Sequence, residues 1–180
     1  MPIYVSLLRG INVGGNKKIR MADLRALYGE LGFEDVVSLL QSGNVVFKSD
    51  LTDENDIARQ IEDSIELAHG FHTDLFVLPA DAFISAHQAN PFSNEAEYDP
   101  KKVLVAFLSE SPSEEDVTLL LENQQGPETI KIIDNVSYIY FPEGMGRSKL
   151  NPATMFKGIS ATGRNLNTMN KLLAILEQKQ

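Results

Sequence analysis

Twice along the chain, short β-rich runs and amphipathic helical stretches succeed one another in the order β-α-β-β-α-β, and few architectures accept that order. In the first passage, residues 3–9 read as a buried strand and Gly10 to Arg20 as a loop of glycine, asparagine and lysine. Leu24, Leu27, Tyr28 and Leu31 then fall at the i, i+3, i+4, i+7 spacing of one helix face, and Gly32 supplies a stop. Val36 to Leu40 and Val45 to Lys48 are β-rich runs joined across Gln41-Ser42-Gly43-Asn44, a hairpin connection. Thr52 or Asp53 caps a second helix with Ile57, Ile61 and Ile65 as its apolar stripe, and Asp74 to Leu78 returns as a strand.

Pro79 to Pro91 reads as a connecting helix, after which the order begins again with a strand from Lys102 to Leu108. Ser111-Pro112-Ser113-Glu114 predicts a helix start with Ser111 as N-cap, Pro112 at N1 and Glu114 at N3, and Val117, Leu120 and Leu121 give that helix its buried side. Thr129 to Ile133 and Val136 to Phe141 form a hairpin around Asp134-Asn135. Asn151-Pro152 opens a short helix, Ile159 to Thr162 is extended, and a last helix carries Met169, Leu172, Leu173 and Leu176 on one face. The pattern predicts an α+β protein of two ferredoxin-like (βαββαβ) units with an additional C-terminal helix. The expected domains are residues 1–80 and residues 81–180, the second including the connecting helix and the extra C-terminal helix.

Charge is segregated along this pattern. The formal net charge of −9 argues against broad, non-specific binding to nucleic acid or acidic membranes. Yet residues 1–25 carry a net +4 and residues 144–171 a net +5, while residues 26–143 carry −18. Either these basic stretches are ordinary solvated surface, or they are parts of an anion site. The longest apolar run, Val103 to Leu108, falls far short of the ~18–20 residues needed to span a bilayer, so no membrane association is expected. Met1-Pro2-Ile3-Tyr4-Val5 enters a strand directly, without the basic flank of a signal peptide. The absence of cysteine rules out thiol catalysis, cysteine-ligated zinc and disulfide stapling, and fits a reducing compartment. A cytoplasmic location is the expectation.

Several blocks together resemble a known family. Leu7-Leu8-Arg9-Gly10-Ile11-Asn12-Val13-Gly14-Gly15, Met21-Ala22-Asp23-Leu24, Leu31-Gly32-Phe33 and Gln41-Ser42-Gly43-Asn44-Val45-Val46-Phe47 resemble the domain-of-unknown-function 1697 family. Phe141-Pro142-Glu143-Gly144-Met145-Gly146-Arg147-Ser148-Lys149-Leu150 and Thr162-Gly163-Arg164-Asn165-Leu166-Asn167-Thr168 are similar to its second-half signatures. The resemblance implies an intracellular, mostly bacterial protein of two ferredoxin-like units, and it implies no established activity. It departs at Leu166, where the family pattern has tryptophan, and at Gly163, where it has a bulkier residue. An indole there is either a stacking surface for a ligand or core packing; leucine replaces the second role at modest cost and loses the first.

The candidate ligand-binding residues are Arg9, Asn12, Gly14, Gly15, Lys17, Ser42, Asn44, Arg147, Ser148, Lys149, Arg164 and Asn165. Gly10, Gly14 and Gly15 follow a strand and precede a helix, where backbone N–H groups can form an anion nest; the alternative is a plain reversing turn. The loop is not a P-loop, because Asn16 stands at the lysine position and Lys17 at the hydroxyl position of G-x-x-x-x-G-K-[ST]. Gln41 to Asn44 is explained as a turn, whether or not it also meets a ligand. Pro142 to Lys149 combines glycines with basic groups before an expected helix start, which favours an anion. Arg164 can clamp a phosphate or carboxylate or sit in a structural ion pair, and Asn165 or Asn167 caps the last helix.

Enzyme motifs are missing. His69 and His72 have no third ligand nearby in sequence, so no metal is expected, and no cofactor is expected either. There is no G-x-S-x-G elbow, and Ser42 and Ser148 have no identifiable base. Tyr138 and Tyr140 alternate on one strand without an RNP-type signature. The expectation is therefore that the two basic regions serve one small anionic ligand between the domains, such as a nucleotide, or exposed RNA phosphates. The alternatives are an enzyme acting on an anionic metabolite and a protein-interaction module.

Overall fold

The structure, a computed structural model, describes residues 1–180. They divide into two compact units, Met1–Ser85 with Leu172–Gln180, and Ala86–Lys171. In the first unit, β1 (Ile3–Leu8), α1 (Met21–Glu30), β2 (Glu34–Leu39), β3 (Asn44–Lys48), α2 (Glu54–His69) and β4 (Leu75–Pro79) build an antiparallel sheet in the order β2-β3-β1-β4. Strands β1 and β3 pair Tyr4 with Phe47 and Ser6 with Val45, so period-2 alternation puts Tyr4, Leu8, Val45 and Phe47 on the face covered by the helices. Helix α1 adds Leu24, Leu27 and Tyr28, and α2 adds Ile57, Ile61 and Ile65, all three fully buried. Each such side chain contributes about 1.5–3 kcal/mol of burial.

Local chemistry sets the ends of α2. Asp53 is the N-cap, its carboxylate accepting from the Asp56 N–H at 2.9 Å, and Gly70 closes the helix with its N–H on the Glu66 carbonyl. Asp53 was one of the two caps expected from the chain, and Gly70 was not singled out there.

Helix α3 (Ala80–Gln88) leads into the second unit, and the division between units falls inside it. Strands β5 (Val103–Leu108), β6 (Thr129–Ile133), β7 (Val136–Tyr140) and β8 (Ala161–Asn165) repeat the sheet order as β6-β7-β5-β8, with α4 (Glu114–Asn123) between β5 and β6. The chain closes with α5 (Leu166–Lys179), in which Met169, Leu172 and Leu176 are buried. The architecture is thus α+β, two ferredoxin-like units with a C-terminal helix.

Three details differ from expectation. Helix α4 is capped by Ser113, not Ser111: the Ser113 hydroxyl accepts from the Asp116 N–H at 3.1 Å and donates to the Asp116 carboxylate at 2.7 Å. Proline 112 therefore lies outside the helix. Leu121 does not join the buried side but is 47% exposed; only Val117 and Leu120, three apart, reach the core. Between β7 and β8 the short helix expected at Asn151-Pro152 is a single 3-10 turn, with Asn151 as its N-cap. Residues 141–160 contain two single turns of 3-10 helix, Met145–Arg147 and Pro152–Thr154, and cover the sheet with Met145, Leu150, Met155 and Phe156.

Candidate functional site

The Gly10–Arg20 loop of the first unit is a small β-ribbon. Asn12 N–H bonds the Lys17 carbonyl at 3.0 Å and Asn16 N–H bonds the Val13 carbonyl at 3.2 Å, with Val13 and Asn16 bridged. Gly14 and Gly15 sit between them at φ +60° and +80°, the positive pair that a two-residue I′-type hairpin turn requires. The glycines thus shape the tip of a ribbon, on which Val13, Asn16, Lys17 and Lys18 are exposed.

Asn12 anchors that ribbon. Its Nδ2 donates to the Ile19 carbonyl at 3.0 Å and to the Gln41 carbonyl at 2.7 Å, and its Oδ1 accepts from the Ile19 N–H at 2.9 Å. The Gln41–Asn44 turn meets the same loop by packing. A Cβ on Gly43 would lie 2.7 Å from Ile11 Cδ1 and 2.8 Å from Leu8 Cβ, and φ there is +81°, so only glycine fits. Asn44, fully buried, donates to the Leu39 carbonyl at 2.7 Å and to Ser42 Oγ at 3.0 Å. The two N-terminal motifs are therefore halves of one packed element. Their asparagines hold backbone together.

Beside this element opens a cleft of about 510 Å³, lined among others by Asn12, Lys18, Arg20, Gln41 and His69, with Ile19 on its wall. Arg20 is the N-cap of α1 and provides no side-chain acceptor for the first turn. Its guanidinium instead grips Asp23 through two bonds, Nε at 2.8 Å and Nη2 at 3.1 Å, which holds the Asp23 carboxyl below the usual carboxylate range. One acid is thus set against Lys18, Arg20 and His69. Arg9 lies apart from these walls; its Nη1 is 3.8 Å from Asp74, whose other oxygen bonds His72 Nε2 at 2.9 Å. Lys17 is on the exposed ribbon.

The second unit gathers Arg147, Ser148 and Lys149 into a cleft of about 550 Å³ whose lining also includes Glu128 and Glu143. Arg147 and Lys149 are exposed. The single turn at Met145–Arg147 is too short to supply the helix-end field expected there. Arg164 and Asn165 are not among the walls of this cleft. Arg164 lies on β8, paired with Val105, and its Nη1 donates to Thr162 Oγ1 at 3.1 Å and to the Gly163 carbonyl at 2.9 Å. Burial pushes its guanidinium down to about 10, which leaves it charged at neutral pH. Asn165 caps α5, its Oδ1 accepting from the Thr168 N–H at 2.9 Å. Leu166 is buried, and Leu104 methyls lie 3.1 Å from where a Cβ on Gly163 would be, so core atoms occupy the space that the family's larger residue there would take.

Lys18, Arg20, Gln41 and His69 were not among the ligand-binding residues expected from the chain, nor were Gln124 and Glu128. The first two carried a signal, their membership of the basic N-terminal stretch. Glu128 carried none, because only the β6–β7 hairpin brings it to Ser148.

No curated protein matches the chain. Among solved structures, a conserved bacterial protein, SP0830 from Streptococcus pneumoniae, is similar with a TM-score of 0.74 at 24% identity, covering 98% of this chain and 99% of that one, a likeness of fold. No helix is long and apolar enough to cross a membrane. The sequence model described as "Protein of unknown function (DUF1697)" matches residues 1–138, and the chain belongs to that family.

Proposed function

We propose that the first unit binds a phosphate-bearing or carboxylated ligand in the cleft beside the Gly10–Arg20 ribbon. The observation that carries this reading is the concentration of Lys18, Arg20 and His69 around about 510 Å³, in a chain whose net charge is −9. The first-turn amides of α1, with no side-chain cap, add a positive end to the same wall. Asp23 offsets one cation, which favours a singly or doubly charged small anion over a long polyanion. A nucleoside monophosphate has that charge and fits the volume, since small-molecule sites run ~300–1,000 Å³.

Titration with inorganic phosphate, AMP and a short oligoribonucleotide, followed through the amide resonances of residues 12–23, tests this. AMP is expected to shift them saturably, and K18A/R20A is expected to weaken binding about tenfold. Unmoved amides with all three probes would sink the reading. The expectation of one ligand served by both basic regions is tested by R164A in the same titration, where unchanged AMP affinity ends it.

A further inference from the structure

The cleft of the second unit carries charges of both signs on an apolar base. Leu120, Pro127 and Leu150 supply the base, Arg147 and Lys149 the positive groups, Glu128 and Glu143 the negative ones. Its volume of about 550 Å³ is of small-ligand size. Glu128 is fixed in place: Gln124 Nε2 donates to Oε2 at 2.6 Å, and Ser148 and the residue's own N–H also bond the carboxylate. The carboxylate lies in the space that a side chain at position 126 would need, and glycine stands there. The three donors hold Glu128 below the usual carboxylate range, so it is ionised at neutral pH.

A carboxylate offers about four acceptor positions, and three donors leave one for a ligand. Arg147 and Lys149 attract an anion that Glu128 and Glu143 repel, and a simple cation meets the reverse conflict. A molecule that carries both an ammonium and a carboxylate satisfies both signs of charge. We infer that this cleft binds a zwitterion of about dipeptide size, its ammonium on Glu128, its carboxylate on Arg147 and Lys149, and an apolar side chain on Leu120, Pro127 and Leu150. The site is independent of the anion cleft in the first unit and shares no residue with it.

Leucyl-leucine is the probe, read through the amide resonances of residues 123–128 and 143–150 of the full chain. N-acetyl-leucyl-leucine removes the ammonium, and leucyl-leucine amide removes the carboxylate. The free dipeptide is expected to bind at least about tenfold more tightly than either capped form. E128Q should erase the preference for the free amine, and R147A/K149A the preference for the free acid. Because Glu128 also ties Gln124 to Ser148, the second variant, at two exposed positions, keeps the test clear of folding defects. Either capped form binding as tightly as the parent, or unmoved resonances at about 10 mM dipeptide, overturns the inference.

Discussion

The two units share one sheet order and differ in what lies over the sheet between their last two strands. In the first, α2 runs sixteen residues, is capped at both ends, and buries Ile57, Ile61 and Ile65 on one face. In the second, residues 141–160 do the same task with two single turns and scattered side chains. A regular helix spends its backbone polar groups on itself and offers little but side chains. An irregular cover keeps backbone and charged residues at the surface, and it is there that Arg147, Ser148 and Lys149 line a cleft. The same position in the fold thus holds a packed helix in one unit and borders a recess in the other.

Truncating the two covers at matched residues breaks or sharpens this contrast most strongly. Ile61→Ala, at a fully buried position, is expected to cost about 3–5 kcal/mol in urea unfolding, and Ile159→Ala, half-buried, less than about half of that. Equal losses would show that the irregular cover packs as tightly as the helix. Within the first unit, Gly43→Ala meets both Ile11 and Leu8 and is expected to cost about 2–4 kcal/mol. Gly14→Ala, with open space around it but positive φ, should cost only about 1 kcal/mol. If the two variants unfold at the same urea concentration, the ribbon and the turn are not the packed pair described above.

The smallest expected effect concerns pH. His72 Nε2 bonds Asp74 at 2.9 Å and Nδ1 lies 3.5 Å from Glu66, and these acids, with Glu62 nearby, raise the imidazole above its ordinary value. A group with a raised folded value stabilises fully below its unfolded value of ~6.5 and loses that contribution as pH climbs through the folded value. Wild-type melting temperature should therefore fall slightly relative to His72→Gln as pH rises from about 6 to 8. A relative rise over that window contradicts the pairing.

Where periodicity or a cap carried the information, the chain was readable: the Ile57-Ile61-Ile65 stripe, Asp53 and the Asp134-Asn135 turn all lie where spacing put them. At α4 the chain pointed to Ser111 as the cap, and the reciprocal bonds between Ser113 and Asp116 set the start two residues later. In the cover at residues 141–160 the Asn151-Pro152 start was readable, but its packing was not, because Met145, Leu150, Met155 and Phe156 reach the core from irregular backbone with no period. The site residues divide likewise. Glycine and asparagine in the N-terminal motifs were visible as turn chemistry, but that Asn12 and Asn44 bind backbone depends on contacts distant in sequence. Arg164 was visible as a cation, and its place on a strand beside Val105 was not.

Asn12, finally, settles when the ribbon becomes ordered. Three bonds from one amide fasten both strands of the excursion to the body of the unit, so its conformational entropy is surrendered during folding. A ligand in the cleft proposed above would meet a scaffold already set at Lys18, with none of its binding free energy diverted to freezing a floppy arm.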